Sequence, residues 1–425
     1  MSVIAEYGHI LLILACVFGV FMAWGIGAND VANAMGTSVG SRALTMKQAI
    51  CVAMVFEFLG AYLAGGEVTA TIRSGIVNSE YINETPDLLV FGMLSSLLAA
   101  GCWLFLASIL GWPVSTTHSL VGAIIGFAAV GISTEAVAWS SVSSIVSSWV
   151  ISPVIAGFIA FWIFRSVQYL ILDTEDPFSN AKRYIPFYMF AVGFMISMVT
   201  LLKGLSHVLK GSGIQFSFAQ SAMMALVIAA IVAGVGMLFM RRISRDKSAD
   251  ATNRYSSVER VFGILMIFTA CAMAFAHGSN DVSNAVGPMA AIIDTIRSGQ
   301  VNPTAHIPSW ILLIGAVGIV VGLLTYGWKV IMTIGKKITE LTPSRGFAAE
   351  MATATTVIVA SGTGMPLSTT HTLVGAVLGV GLARGIGALN LGVIGKIFLS
   401  WIITLPAGAG LSIFFFFFFK GLFSV

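Results

Sequence analysis

The sequence predicts an all-α polytopic membrane protein, with about twelve transmembrane segments in two inverted-topology repeats that contain broken or re-entrant helices. Three observations predict this fold class. Of the 425 residues, 57% are hydrophobic and only 9% are charged, whereas about a quarter of the residues of a soluble protein are charged. Long apolar runs recur along the chain, and two polar motifs each occur twice. A water-soluble globular protein is therefore excluded.

The apolar runs define the predicted elements. Runs that could cross a bilayer, which takes about 20 residues, lie at 8–27, 45–65, 88–110, 114–131, 138–164, 186–202, 218–240, 259–277, 308–330, 347–362, 366–383 and 388–419. Some are expected to be half-helices or hairpins, because Gly and Pro interrupt them near Gly111-Trp112-Pro113 and Gly364-Met365-Pro366. The first run follows a segment without Lys or Arg and without a small-residue cleavage site, so we expect a membrane span and not a cleaved signal peptide.

An Asn-Asp motif closes the first run and recurs in the second half of the chain. Gly27-Ala28-Asn29-Asp30-Val31-Ala32-Asn33 returns as Gly278-Ser279-Asn280-Asp281-Val282-Ser283-Asn284, and Asp281 follows Asp30 by 251 positions. An ionised carboxylate inside a membrane is costly unless it is paired or coordinated. Discontinuous helices at matching places in two halves are typical of a transporter's binding site.

A Ser-Thr-Thr motif is also duplicated. Pro113-Val114-Ser115-Thr116-Thr117-His118 returns as Pro366-Leu367-Ser368-Thr369-Thr370-His371, with Ser368 253 positions after Ser115. Proline followed by hydroxyl residues is a typical helix start, and a helix N-terminus favours anions. We therefore predict a small tetrahedral oxyanion bound by Ser115, Thr116, Thr117, Ser368, Thr369 and Thr370. The alternative is that these residues only cap the helices or bond to a carbonyl four residues earlier.

The Asn-Asp motifs offer oxygen ligands for a cation. We predict cation binding by Asn29, Asp30, Asn280 and Asp281, with Na⁺ on Asp30 and Asp281; a carboxylate taking up H⁺, or a purely structural aspartate at a helix break, are the alternatives. Glu57 and Glu350 also lie within apolar runs, and intramembrane carboxylates are functional by default. His118 and His371 are interpreted as packing or hydrogen-bonding partners. The four cysteines all lie in apolar runs, so neither disulfides nor a zinc site is expected.

Loop charges predict the orientation. If the spans alternate, one set of loops holds fourteen Lys and Arg residues and the opposite set holds Arg73, Lys203, Lys210 and Arg297. The positive-inside rule places the basic set in the cytoplasm, and both termini then face outward. We expect a first repeat over 1–165, connecting spans with a cytoplasmic linker over 166–258, and a second, inverted repeat over 259–425.

The two duplicated motifs resemble those of the inorganic phosphate transporter (PiT) family, and the resemblance extends from Gly8 to about Ala409. It implies symport of inorganic phosphate with Na⁺ or H⁺ in the inner (plasma) membrane, inverted repeats and a homodimer. It also implies that Asp30 and Asp281 couple the cation, that the Ser-Thr-Thr turns hold the anion, and that Glu57 and Glu350 are required. The short linker is similar to that of compact microbial members. Some relatives carry sulfate, which stays open as an alternative substrate.

Na⁺ is favoured over H⁺ as the coupling ion, because the amides beside each aspartate can ligate Na⁺ and cannot carry a proton. Two bound cations would also supply the countercharge that a buried phosphate needs. An intramembrane hydrolase is disfavoured, since nucleophilic catalysis needs one activated serine with one base. A channel is disfavoured because the polar groups cluster at two paired points instead of forming a continuous path. No enzymatic cofactor and no nucleic-acid partner are expected.

Overall fold

The computed structural model describes residues 3–204, 216–302, 307–337, 341–385 and 391–423. The first half of the chain contains eight α-helices in these ranges: α1 Val3–Asn29, α2 Val31–Gly40, α3 Met46–Ala64, α4 Gly66–Ser74, α5 Pro86–Leu110, α6 Thr116–Gly126, α7 Trp139–Val167 and α8 Pro177–Val199. Turns of π-helix, Phe127–Ile132, Gln168–Leu172 and Thr200–Gly204, extend α6, α7 and α8.

The second half repeats this order after a linker. Helices α9 Phe218–Arg241 and α10 Lys247–Thr252 come first. The others are α11 Ser256–Asp281, α12 Ser283–Ser298, α13 Ser309–Gly322, α14 Trp328–Lys337, α15 Pro343–Gly362, α16 Thr369–Arg384 and α17 Leu391–Leu422, and a π-helical turn, Leu323–Gly327, joins α13 to α14. Seven helices, α1–α7, thus have seven counterparts in α11–α17.

The all-α membrane class is confirmed. Within the described ranges, nine helices or helix pairs are long and apolar enough to cross a membrane. They coincide with nine of the twelve predicted runs. The other three runs form α6, α15 and α16, which are too short or too polar to qualify. Twelve spans are therefore not confirmed, because the two short helices that begin in the Ser-Thr-Thr motifs, and the more polar α15, were counted as full spans.

Both Asn-Asp motifs interrupt a helix, although only briefly. Helix α1 ends at Asn29 and α2 begins at Val31, while α11 ends at Asp281 and α12 begins at Ser283. The backbone of Asp30 keeps a nearly helical conformation, with φ −87° and ψ −19°. Helix α2 has only ten residues, about half the length that a membrane span requires. The Asn and Asp side chains of both motifs are at most 1% exposed, so these polar groups lie deep in the protein.

The Ser-Thr-Thr motifs follow sharper turns. Gly111 and Gly364 take left-handed φ angles of +65° and +74° at the ends of α5 and α15, a conformation that suits glycine because it has no Cβ. The chain then re-enters a helix at Thr116 and at Thr369. These two turns aim the N-termini of α6 and α16 into the core.

The two halves interlock through matched glycine contacts. A side chain on Gly27 of α1 would collide with the carbonyl of Ile319 on α13, and one on Gly278 of α11 would collide with the carbonyl of Glu57 on α3. Likewise Gly122 and Gly375 lie against backbone carbonyls of α17 and α7. Such close approach is possible only because glycine has no side chain. Each half thus packs its motif-bearing helices against the other half.

Candidate functional site

The two Ser-Thr-Thr turns meet in the core. Ser115 and Ser368 are the N-caps of α6 and α16, and each hydroxyl oxygen accepts a hydrogen bond from the backbone N–H of the histidine three residues later. Thr117 Oγ1 donates to the carbonyl of Leu367 at 3.0 Å, and Thr370 Oγ1 donates to the carbonyl of Val114 at 3.4 Å. The structure therefore brings all six predicted anion ligands together, each at most 2% exposed.

The middle threonine of each triplet contacts the aspartate of its own half. Thr116 Oγ1 donates to Asp30 Oδ2 at 2.7 Å, and Thr369 Oγ1 donates to Asp281 Oδ2 at 3.0 Å. A hydroxyl that donates to a carboxylate stabilises its charge. These two threonines thus link the predicted anion site directly to the predicted cation site, a link that their separation in the sequence did not reveal.

The second asparagine of each motif reaches across to the opposite half. Asn33 Nδ2 donates to Thr370 Oγ1 at 2.8 Å, while Asn284 Nδ2 donates to Thr116 and Thr117 at 3.2 and 3.3 Å. The amide oxygens of Asn33 and Asn284, together with Asp30 Oδ1, are buried and have no hydrogen-bond partner among the described residues. Buried polar atoms are normally satisfied, so these three oxygens are suited to hold a cation.

The first asparagine of each motif instead secures a turn. Asn29 Nδ2 donates to the carbonyl of Trp112 at 3.0 Å, and its oxygen accepts from the N–H of Val114 at 3.3 Å. The neighbours of Asn280 are satisfied when its amide nitrogen and oxygen are exchanged. In that orientation its nitrogen donates to the carbonyl of Leu367 at 3.1 Å. Both amides therefore hold the Ser-Thr-Thr turns in place, and cation binding by Asn29 and Asn280 stays a prediction.

The two aspartates share one buried cluster. Carboxylate oxygens of Asp30 and Asp281 and a ring nitrogen of His277 lie within 4.8 Å of one another. His277 Nε2 is 2.7 Å from Asp281 Oδ2, and His277 Nδ1 is 2.8 Å from Glu57 Oε2. Glu57 is thus connected to Asp281 through His277, and all three side chains are fully buried.

Glu350 lies in a separate cluster of hydroxyl groups. Its carboxylate accepts hydrogen bonds from Thr37 at 2.5 Å, Ser38 at 2.6 Å and Thr269 at 2.7 Å. Two of these donors belong to α2 and the third to α11. Three hydroxyl donors around a fully buried carboxylate compensate the loss of water, so Glu350 is held firmly beside the helix that follows Asp30.

His118 and His371 pack together behind the triplets, as their packing interpretation predicts. Their ring centroids are 4.2 Å apart, and the rings lie 3.7 Å from Trp149 and 3.4 Å from Trp401, respectively. His371 Nδ1 is 3.4 Å from the carbonyl of Trp149. The histidines therefore help to position α6 and α16 against α7 and α17.

Sequence reasoning missed several residues of the site. His277 lies four residues before Asp281, which puts both on one helix face, and this spacing could have identified it. Asn33 and Asn284 belong to the duplicated motif but were not chosen as ligands. Thr37, Ser38 and Thr269 carried no sequence signal, because isolated hydroxyl residues are common in membrane helices.

Comparison with known proteins identifies the family of the chain. A model of the "Phosphate transporter family" matches residues 26–412. The chain belongs to the phosphate transporter family. Its members are transporters, and this chain is accordingly a transporter and not an enzyme.

Individual relatives cover the whole chain. A Haemophilus influenzae protein named "Putative phosphate permease" is 53% identical over 100% of both chains. A protein of the same name from Chlamydia trachomatis is 46% identical over 97% of this chain and 99% of its own. A solved structure described as "The sodium-dependent phosphate transporter" is similar at a TM-score of 0.88, with 40% identity, 96% of this chain and 99% of that chain covered.

Proposed function

We propose that this chain is a secondary active symporter that imports inorganic phosphate together with Na⁺. The observation that carries the proposal is the direct contact between the two predicted sites: Thr116 and Thr369, from the anion-binding turns, donate to Asp30 and Asp281. A cation at the aspartates and an anion at the turns would therefore be close neighbours, and each would lower the cost of burying the other.

The anion is proposed to bind between the N-termini of α6 and α16. First-turn N–H groups have no partner within their helix, and the N-terminal end of the helix dipole favours negative charge. Thr117 and Thr370 now donate to carbonyls of the opposite turn at 3.0 and 3.4 Å. Rotation of these hydroxyls toward a phosphate would exchange a neutral acceptor for a charged one, which makes the stronger hydrogen bond.

The cation is proposed to bind at the unpaired oxygens of Asp30, Asn33 and Asn284 and at the carboxylate of Asp281. Carboxylate and amide oxygens suit a hard cation, and an amide oxygen cannot serve a proton. The solved sodium-dependent phosphate transporter of similar fold supports this choice. We retain Glu57 and Glu350 as proposed parts of the coupling machinery, through His277 and through α2.

A carrier fits these observations better than a channel. The six triplet residues and the two aspartates are at most 2% exposed, so the polar groups form an enclosed cluster. We further propose that the repeats over 1–165 and 259–425 have opposite orientations, that both termini face outward, and that the protein is a homodimer in the inner membrane.

Cysteine labelling tests the inverted orientation. Arg42 follows α2 and Gln300 follows its counterpart α12, and both are exposed. In a variant without the exposed Cys51, Arg42→Cys is expected to react only from the cytoplasm and Gln300→Cys only from outside. Reaction of both from the same side would refute the inversion.

Proteoliposome uptake tests the function. With an inward Na⁺ gradient and no pH gradient, labelled phosphate should accumulate, and sulfate should compete poorly. Accumulation driven by a pH gradient in Na⁺-free buffer would replace Na⁺ by H⁺. Preference for sulfate would correct the substrate, and ohmic current without counterflow of labelled anion would indicate a channel.

A further inference from the structure

An ion pair joins the two halves of the chain near the ends of α4 and α12. Arg73 Nη2 lies 3.1 Å from Asp294 Oδ2, and it also donates to the carbonyl of Asn302. Arg73 belongs to the last turn of α4, and Asp294 lies close to the end of α12. Because α4 comes from the first half and α12 from the second, the pair fastens one half to the other.

Both helices lead to the candidate functional site. Helix α12 begins directly after Asp281, and Asp294 lies about 20 Å further along the helix. Helix α4 bonds to the second Ser-Thr-Thr turn, since Thr71 Oγ1 donates to the carbonyl of Gly364 at 2.7 Å. A movement of α4 relative to α12 would therefore affect the helix that follows the proposed cation site and the turn that holds the proposed anion site.

Helix α4 packs closely along α12. A side chain on Gly65, at the start of α4, would collide with Val282, and one on Gly287 of α12 would collide with Ile72. Such close packing leaves no space for an ion between the two helices. An ion could reach Asp281 between them only if α4 and α12 separated.

The ion pair is not repeated at the other end of the molecule. Helix α2 is the counterpart of α12, and Ala43 stands where the second half has Asp294, at the spacing of 251 positions that relates the two Asn-Asp motifs. Helix α2 is held instead by the hydroxyl groups of Thr37 and Ser38, which donate to Glu350. The duplicated fold therefore does not require the Arg73–Asp294 pair.

The surroundings of the pair allow it to open. The Arg73 side chain is 4% exposed and that of Asp294 is 28% exposed. A polar cavity of about 20 Å³ lies beside them, and Ser74, Ser79 and Thr295 contribute to its walls. Such a volume can hold a water molecule. Because water can solvate the released carboxylate, separating this pair costs less than separating a fully buried one.

We propose that the Arg73–Asp294 pair is a latch of the transport cycle. We call it the α4–α12 latch. It closes the site on the side of the protein where Gln300, the exposed residue that follows α12, is located, and it breaks each time the site opens to that side. The inference rests on the proposed carrier mechanism, in which a site opens to one side at a time, and not on the identity of the transported ions.

Thiol labelling tests the latch. In a variant without the four native cysteines, Ser368→Cys places a thiol in the anion-binding turn, and a membrane-impermeant thiol reagent is applied to one side at a time. Arg73→Met should raise the labelling rate from the Gln300 side about tenfold, since loss of a partly exposed ion pair enlarges the open population. It should lower the rate from the opposite side, because the states that open to the two sides compete.

Asp294→Asn removes the other charge and should change both rates in the same directions. Arg245→Met is the control, because Arg245 forms an exposed ion pair with Asp176 at 3.3 Å, and it should leave both rates unchanged. Unchanged rates in Arg73→Met and Asp294→Asn would overturn the proposal. So would a rise from both sides together, because the pair would then only stabilise the fold. Labelling needs neither phosphate nor Na⁺, so its outcome is separate from that of the uptake assay.

Cross-linking tests whether the latch must open. Arg73→Cys and Asp294→Cys are combined in the cysteine-free variant without Ser368→Cys and joined by a short bis-methanethiosulfonate reagent. Uptake of labelled phosphate should fall to background and return when the cross-link is reduced. The same reagent on Asp176→Cys with Arg245→Cys should leave uptake unchanged. Uptake that persists in the protein cross-linked between α4 and α12 would overturn the latch.

Discussion

The Asp30 and Asp281 centres are duplicates in sequence but differ in their surroundings. His277 and Glu57 flank Asp281, whereas the equivalent positions beside Asp30 hold Ile26 and Ile319, which share the same glycine-mediated helix contact. All four of these flanking side chains are fully buried. Duplication thus preserved the aspartate and its threonine, while a buried polar pair is found at only one centre.

The second unduplicated carboxylate shows the same principle. Glu350 is held by Thr37 and Ser38 of α2, and the counterpart positions of α12 are Pro288 and Met289. Each extra carboxylate therefore has its own unduplicated partners, imidazole for Glu57 and hydroxyls for Glu350. The aspartate and its threonine are thus repeated at both centres. The two extra carboxylates and their partners are not repeated, and they give each centre a distinct environment.

Loss of either aspartate is expected to have the largest effect. Asp30→Asn and Asp281→Asn each remove a carboxylate that accepts a hydrogen bond from a threonine and that we propose binds the cation, so Na⁺-driven phosphate uptake should fall to background in proteoliposomes. Both variants should still fold, since asparagine has nearly the same shape. Uptake retained by only one of them would show that the two centres are not equivalent in coupling.

The His277–Glu57 pair tests the difference between the centres directly. Glu57→Ile leaves His277 with Asp281 but without its second carboxylate, and His277→Ile removes the imidazole that contacts Glu57; breaking a buried pair from one side typically costs about 3–5 kcal/mol. The double variant recreates the apolar pair of the Asp30 centre and should recover most of that loss. Thermal unfolding in detergent measures the three variants against the wild type.

If the double variant were no more stable than the less stable of the two single variants, the two centres would differ in backbone geometry as well as in side chains. The double variant should also transport less than the wild type, although it folds. If the double variant and the wild type transported phosphate equally well, Glu57 would not belong to the proposed coupling machinery.

The last threonine of each Ser-Thr-Thr triplet should matter equally in the two halves. Thr117→Val and Thr370→Val each remove one hydroxyl that we propose donates to the bound phosphate, and a hydrogen bond to a charged group contributes about 1.5–3 kcal/mol. The Michaelis constant for phosphate should therefore rise about ten- to a hundredfold in each variant. Thr355→Val on α15, whose hydroxyl bonds to the carbonyl of Met351 within its own helix, is the control and should leave it unchanged. A rise in only one triplet variant would place the anion within one half.

The duplicated motifs could be predicted to meet because matching polar groups in two halves of a membrane protein must be buried against each other. The apolar runs predicted about twelve spans, and nine of them coincide with helices in the described ranges that could cross a membrane. What could not be predicted were partners that depend on how helices cross: Thr116 with Asp30, His277 with Glu57, and Thr37 with Glu350. The point at which two helices cross depends on close glycine contacts, such as that of Gly27 with the carbonyl of Ile319. One sequence does not show which carbonyl a glycine will contact.

The smallest effect is expected at the hydroxyl groups around Glu350. Three donors share this carboxylate, so Thr269→Val or Thr37→Val leaves two of them in place, and half-saturation by Na⁺ should rise by no more than about tenfold. Thr353→Val is the matched control, because Thr353 lies on the same helix as Glu350, is buried, and bonds only to the carbonyl of Ala349 among the described contacts. If either single variant matched Glu350→Gln in its loss of uptake, the three donors would not be interchangeable. Glu350 would then depend on one hydroxyl as narrowly as Glu57 depends on His277, and the contrast between the two carboxylates would disappear.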